Sequence, residues 1–216
     1  MESTTGTPDG NICPVGSFCP QGSSTPTACT VGSYCATEGL SAPTGLCAPG
    51  HFCTGGSASA TPVDGTGGDE CTTGHYCVAG SAVATACPAG KFSGSAGNVA
   101  LTDCADCTAG SYCPVGSAVA LPCREGSYSS ATNLASAEEC TIADTGHYAG
   151  SGSQHQTACA AGTYKPDTGP EACTECPRGS ISSAGSDERT VCGTSRSHRY
   201  WLALFPVLHV APIRVP

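Results

Sequence analysis

Cys104-Ala-Asp-Cys107 and Cys173-Thr-Glu-Cys176 set pairs of thiols at a spacing that could do chemistry. Two Cys-x-x-Cys pairs can supply the four ligands of a tetrahedral zinc site, and one alone can act as a redox dithiol. The surroundings argue against both. Cys107 and Cys173 are 66 positions apart, Asp106 and Glu175 disfavour a thiolate, and no strand–helix–strand pattern encloses either pair. His51, His75 and His147 are the next candidates as metal ligands. All three occupy a position where the corresponding segments carry Ser, Thr or Lys, and a site that accepts all four residue types is expected to face solvent. Asp69-Glu70-Cys71, Asp103-Cys104 and Glu138-Glu139-Cys140 offer oxygens for calcium, which needs six to eight of them from a defined loop. No Asp-x-Asn/Asp-Gly loop is present, so these read as solvated turn charges. No nucleophile motif, phosphate loop or paired-carboxylate arrangement occurs either. The expectation is a chain without catalytic residues, metal ligands or cofactor.

The elements that must position these residues form a repeating frame. Phe18, Tyr34, Phe52, Tyr76, Phe92, Tyr112, Tyr128, Tyr148 and Tyr164 each follow a glycine by two positions, and Ile181 takes that place once more. Five segments read Cys-x-x-Gly-x-aromatic-Cys, beginning at Cys13, Cys29, Cys47, Cys71 and Cys107 and ending at Cys19, Cys35, Cys53, Cys77 and Cys113. Four more begin at Cys87, Cys123, Cys159 and Cys176 but carry Ser93, Ser129, Lys165 and Ser182 where the second cysteine would be. A tenth reads as a stretched unit from Cys140 to Gly146-His147-Tyr148, and the unit from Cys47 carries the insert Asp64-Gly-Thr-Gly-Gly-Asp69. One aromatic per unit marks a linear stack of small modules. The glycine supplies a positive-φ turn, and the aromatic after it is expected to cover a disulfide. Without helical periodicity, the expected fold is an elongated rod of small disulfide-rich repeats: short β-hairpins and loops, little or no helix and no large hydrophobic core.

Composition supports that fold. Leu, Ile, Val and Phe number 28 of 216 residues, against 25 Ser, 25 Thr and 29 Gly. Burial on that scale cannot offset ordering entropy, and 18 cysteines are the compensation. Their bonds require an oxidising compartment, so the expected location is extracellular or cell-surface. The N-terminus carries no positively charged and apolar leader, which reads as a fragment of a longer secreted or membrane-anchored protein.

Pairing is open at this level. If each Cys-x5-Cys loop closes on itself, the bonds are Cys13–Cys19, Cys29–Cys35, Cys47–Cys53, Cys71–Cys77 and Cys107–Cys113. The units without a second cysteine then close on the next one available, as Cys87–Cys104, Cys123–Cys140, Cys159–Cys173 and Cys176–Cys192. This scheme uses all 18 cysteines. The competing rule, joining Cys19–Cys29 and Cys35–Cys47, strands Cys13, Cys104, Cys107 and Cys140, and a pattern interlocked between units is a third arrangement.

Units such as Cys87-Pro-Ala-Gly-Lys-Phe-Ser, Cys123-Arg-Glu-Gly-Ser-Tyr-Ser and Cys176-Pro-Arg-Gly-Ser-Ile-Ser resemble the ephrin-receptor-like cysteine-rich repeat, a relative in style of tumour necrosis factor receptor and growth-factor-receptor modules. The resemblance covers roughly Cys13 to Cys192. It implies an extracellular, disulfide-stapled module of receptor ectodomains and large surface proteins, without catalytic activity. The five units with a second cysteine depart from that family's usual pattern.

The sequence accordingly divides into a disordered segment 1–12, Cys-x-x-Gly-x-aromatic-Cys repeats over 13–86, mixed ephrin-receptor-like repeats over 87–192, and a tail over 193–216. Within the tail Pro206, Pro212, His209 and Arg214 interrupt a short apolar run. It suits neither a spanning helix nor a lipid-anchor signal, and reads as disordered or as a misread or truncated end. The net charge is −9 and no Lys or Arg precedes Lys91, so nucleic acid and anionic membrane surfaces are not expected partners. Protein or glycan ligands outside the cell are. The functional expectation is a ligand-binding or spacer stalk of a surface receptor or adhesion protein. The alternatives are a structural matrix or cell-wall protein bearing O-linked sugars, and an intracellular thiol-rich metal store.

Overall fold

The computed structural model describes residues 12–188 and 192–194. The expected segment 1–12 lies outside these residues apart from Ile12, and the tail lies outside them apart from Gly193 and Thr194.

Every repeat starts with the same turn. Ser17 N–H donates to Pro14 O at 3.1 Å and Lys91 N–H to Pro88 O at 3.1 Å, with Gly16 (φ +80°) and Gly90 (φ +83°) at the third position. A four-residue turn of this form needs φ > 0 there, which explains the recurring glycine. The chain leaves the turn as a strand of two residues, three at His51–Cys53, that carries the aromatic or Ile181, and returns antiparallel just before the next repeat.

The chain divides into two compact parts. The first comprises residues 1–141 with 150–155 and holds the hairpins Ser17–Phe18/Thr27–Ala28, Ser33–Tyr34/Gly45–Leu46, His51–Cys53/Gly68–Glu70, His75–Tyr76/Thr85–Ala86, Lys91–Phe92/Ala105–Asp106 and Ser111–Tyr112/Leu121–Pro122. It also contains the strand Ser127–Tyr128 and two single-turn 3₁₀ helices, Leu101–Asp103 and Ala137–Glu139. The second comprises 142–149 with 156–216 and holds His147–Tyr148/Thr157–Ala158, Thr163–Tyr164/Thr174–Glu175 and Ser180–Ile181/Gly193–Thr194. The last hairpin therefore extends two residues past Cys192.

Hairpins this short are marginal alone. Backbone hydrogen bonds knit each one to its neighbour. In the first part the turn glycine donates to the carbonyl at the second-cysteine position of the next repeat: Gly16 to Cys35 O at 3.0 Å, Gly50 to Cys77 O at 2.8 Å, Gly110 to Ser129 O at 2.8 Å. A loop glycine of the next repeat donates back to the first cysteine: Gly39 to Cys13 O at 2.8 Å, Gly56 to Cys29 O at 2.8 Å and Gly80 to Cys47 O at 2.9 Å. The second part repeats the scheme, with Gly146 to Lys165 O at 2.8 Å and Gly185 to Cys159 O at 2.8 Å.

Contacts in the first part also reach the next repeat but one. A Cβ on Gly110 would run into the carbonyl of Gly152, and one on Gly80 would meet Leu46 at 3.3 Å. The loop-glycine place is taken once by Asn133, whose N–H donates to Cys107 O at 2.8 Å. Its φ of 62° is in the left-handed region, which asparagine tolerates better than most residues.

The buried interior is the cysteine frame itself, and Leu134 is the large aliphatic side chain enclosed with it among the described residues. Val63, Val83 and Val115 are about two-thirds exposed (70%, 66% and 67%), so apolar packing is a minor contributor.

Candidate functional site

The side chains with chemical potential converge on one recurrent place, the two cysteine positions flanking each turn. The structure joins Cys13–Cys19, Cys29–Cys35, Cys47–Cys53, Cys71–Cys77 and Cys107–Cys113 across six residues, with Cα–Cα distances of 5.9 to 6.1 Å. Cys87–Cys104, Cys123–Cys140, Cys159–Cys173 and Cys176–Cys192 span 14 to 17 residues at 5.6 to 6.0 Å. These are the pairs of the self-closing arrangement, and no cysteine is free. The two Cys-x-x-Cys pairs are thereby accounted for. Cys104 and Cys173 close one repeat while Cys107 and Cys176 open the next, so neither pair is a dithiol.

The two bond classes hold different things. A short bond ties the start of the turn to the end of the first strand. A long bond reaches from the start of the turn to the residue before the returning strand, as Cys104 precedes Ala105–Asp106 and Cys140 precedes Thr141–Ile142. The 3₁₀ turns Leu101–Asp103 and Ala137–Glu139 deliver Cys104 and Cys140 to that place.

Where the second cysteine is missing, the substitute is buried and turned to loop polar groups. Ser93 Oγ accepts from Asn98 Nδ2 at 2.7 Å, and the same amide donates to His75 O at 2.9 Å and Ser95 O at 2.8 Å. Ser182 Oγ donates to Thr163 O at 2.7 Å. Lys165 is fully enclosed, and its Nζ donates to Gly169 O at 2.8 Å. A buried polar side chain is tolerated only when paired, and each of these has a partner.

Two readings need correction. The stretched unit does not start at Cys140, which is bonded back to Cys123. Its frame is Ala143-Asp-Thr-Gly146-His-Tyr148-Ala149, with Ala143 (0% exposed) and Ala149 (3%) buried at both cysteine positions. Cys159 N–H bonds Gly146 O and Gly169 N–H bonds Ala143 O, just as Cys176 N–H bonds Gly162 O and Gly185 N–H bonds Cys159 O in the repeat that follows. The histidine position is half-buried, because it belongs to the first strand. There His75 and His147 place Nδ1 3.0 Å from Thr73 O and Thr145 O, while the buried Nδ1 of His51 has no partner. The aromatics are also only half-covered. Tyr112 packs on the Cys123–Cys140 bond and Leu134 of the following repeat, and the Tyr34 ring lies over Gly45 of its partner strand.

The acidic residues are occupied with local backbone. Asp103 Oδ2 accepts from Val99 N–H at 2.7 Å and Ala100 N–H at 3.1 Å, Glu139 Oε1 from Ala135 N–H at 3.2 Å, and Asp69 Oδ1 from Glu70 N–H at 2.8 Å. Hydrogen bonding by a backbone N–H and by Ser136 holds Glu138 below the ordinary glutamate value. Lys91 pairs with Asp106 across its hairpin. Among the described residues no group of three His, Cys, Asp or Glu side chains comes together. The insert after Cys53 shapes a shallow cleft of about 320 Å³ lined by Ser57, Ser59, Thr61, Pro62, Asp64 and Thr66. Among the described residues no helix is long and apolar enough to cross a membrane.

No protein-family model and no curated protein matches the sequence. The chain is a series of small disulfide-stapled hairpin repeats, an arrangement that belongs to an oxidising environment.

Proposed function

We propose that this chain is a non-catalytic extracellular module of a larger surface receptor or adhesion protein, similar to ephrin-receptor-like cysteine-rich repeats, and serves as a spacer or ligand-binding stalk. One observation carries the reading. Most buried positions are spent on the frame (cystines and their Ser, Ala and Lys substitutes), leaving backbone, hydroxyls and scattered Val, Leu and Ile side chains facing outward. Such a surface suits protein or glycan contacts, and its acidity disfavours nucleic acid and anionic lipid. A matrix or cell-wall role is the second reading, favoured by exposed hydroxyl-rich loops such as Ser24-Thr25-Pro26-Thr27. A metal store is disfavoured, because all 18 cysteines are paired.

The test is binding of the oxidised chain to arrays of extracellular proteins and glycans, with reduced and alkylated chain as control. Saturable binding that reduction abolishes supports a ligand-binding stalk. Free thiols in chain isolated under denaturing, non-reducing conditions would overturn the extracellular reading.

A further inference from the structure

The eighth repeat, Ala143 to Ala158, is closed by no covalent bond. Its frame positions are alanines, and the flanking bonds stop at Cys140 and resume at Cys159. Every other hairpin of the described residues has a cystine at its turn or from its turn to the start of its returning strand. Two independent observations mark the same place. Tyr148 is 45% exposed, whereas the other eight ladder aromatics are half-buried. The division of the chain into two compact parts also runs through this repeat, assigning residues 142–149 and 156–158 to one part and 150–155 to the other.

Opening it therefore breaks only hydrogen bonds. They include the pairing of His147 and Tyr148 with Ala158 and Thr157, Cys159 N–H to Gly146 O at 2.8 Å, Gly146 N–H to Lys165 O at 2.8 Å, Gly169 N–H to Ala143 O at 3.1 Å, the Asp144–Gln156 pair at 2.8 Å, and the loop bonds Gly152 N–H to Cys123 O at 2.9 Å and Ser129 N–H to Ser153 O at 3.1 Å. Local unfolding concentrates where few constraints must be lost, and an endoprotease needs a run of chain freed into extended form.

We propose that the eighth repeat is a proteolytic processing site, cut by an endoprotease that accepts an aromatic or small side chain at the bond it cleaves. Hydrolysis there consumes one water and leaves a carboxylate on one piece and an amine on the other. No disulfide spans the cut, so the two pieces come apart with every cystine intact. A cut inside any Cys–Cys loop leaves the pieces tethered. Trypsin-like enzymes are excluded from the site, because no Lys or Arg lies between Arg124 and Lys165. Tyr148 and Ala149 supply the candidate bonds, and the exposed Gln154 and His155 lie in the loop that follows them.

The experiment is a time course of chymotrypsin and elastase digestion of the full oxidised chain without reductant, with cut positions read by mass spectrometry. The expected first cut within residues 12–194 falls between 144 and 158 and gives two fragments separable without reductant. The double variant Ala143→Cys/Ala149→Cys, restoring the six-residue bond, should slow that cut about tenfold or more. A first cut at the Gly55–Gly68 loop, or a cut in 144–158 at an unchanged rate in an oxidised double variant, would overturn the proposal. Hydrogen exchange on the unaltered chain gives a second readout should the variant misfold. The Cys159 amide should exchange at least tenfold faster than the Cys123 amide, which makes the same bond to Gly110 O in a bridged repeat. Equal protection would overturn it.

Discussion

The repeat from Cys71 and the repeat from Cys123 share a turn, a tyrosine and a docking ladder, yet the covalent bond does different work in each. In the first, Cys71–Cys77 fixes only the turn, and the pairing of His75–Tyr76 with Thr85–Ala86 is left to hydrogen bonds. In the second, Cys123–Cys140 spans 17 residues and ties the turn to the start of the returning strand, and buried Ser129 fills the place of the turn bond. Moving one cysteine thus changes what is cross-linked without changing the fold. The frame tolerates this because each repeat is also held by backbone bonds to its neighbours, which no side chain specifies.

Removing the bonds should separate the two classes. In the chain-entropy model a 17-residue span restricts the unfolded chain more than a 6-residue one, by about 1 kcal/mol. Cys123→Ala/Cys140→Ala should therefore destabilise by ~3 kcal/mol and Cys71→Ala/Cys77→Ala by ~2 kcal/mol. Chemical denaturation of the two variants measures this. Equal losses would mean that both bonds act on local packing alone.

The docking ladder is the next largest effect. Gly110→Ala must place a methyl against the Gly152 carbonyl and pay for a φ of +81°, whereas a methyl on Gly179 (φ +83°) meets nothing within 4 Å. Both substitutions carry a conformational cost of about 1 kcal/mol, and Gly110→Ala should cost ~1–3 kcal/mol more. Thermal unfolding of the pair isolates the contact from the turn.

The hairpin frame and the burial of cysteine were legible because Cys, Gly and an aromatic at fixed spacing have one economical explanation. Three features were not. Ala143 and Ala149 are chemically silent, so the eighth repeat could be aligned only through its glycine and tyrosine, which drew its start to Cys140. Ser93, Ser129 and Lys165 are polar types usually exposed, and their burial follows from the cysteine position they occupy. Loop glycines such as Gly56 and Gly152 lie outside the Cys-x-x-Gly frame, although their N–H groups bond a neighbouring repeat. Hydrogen bonds between backbones leave little trace in side-chain identity.

The smallest prediction concerns acid. The folded-state value of Glu138 is lowered, so the stability it contributes is present above its ordinary value of 4.5 and is lost as pH falls through the lowered value. Glu138→Gln should flatten that slope slightly and leave stability at neutral pH nearly unchanged, as acid titrations of both chains would show. The carboxylate is fully exposed, which keeps the effect small.

Non-reducing peptide mapping tests the two-class frame most directly. Digestion of the oxidised chain should release Cys71 joined to Cys77 and Cys123 joined to Cys140, with no peptide linking two repeats. Recovery of Cys19 joined to Cys29, or of Cys77 joined to Cys87, would contradict it.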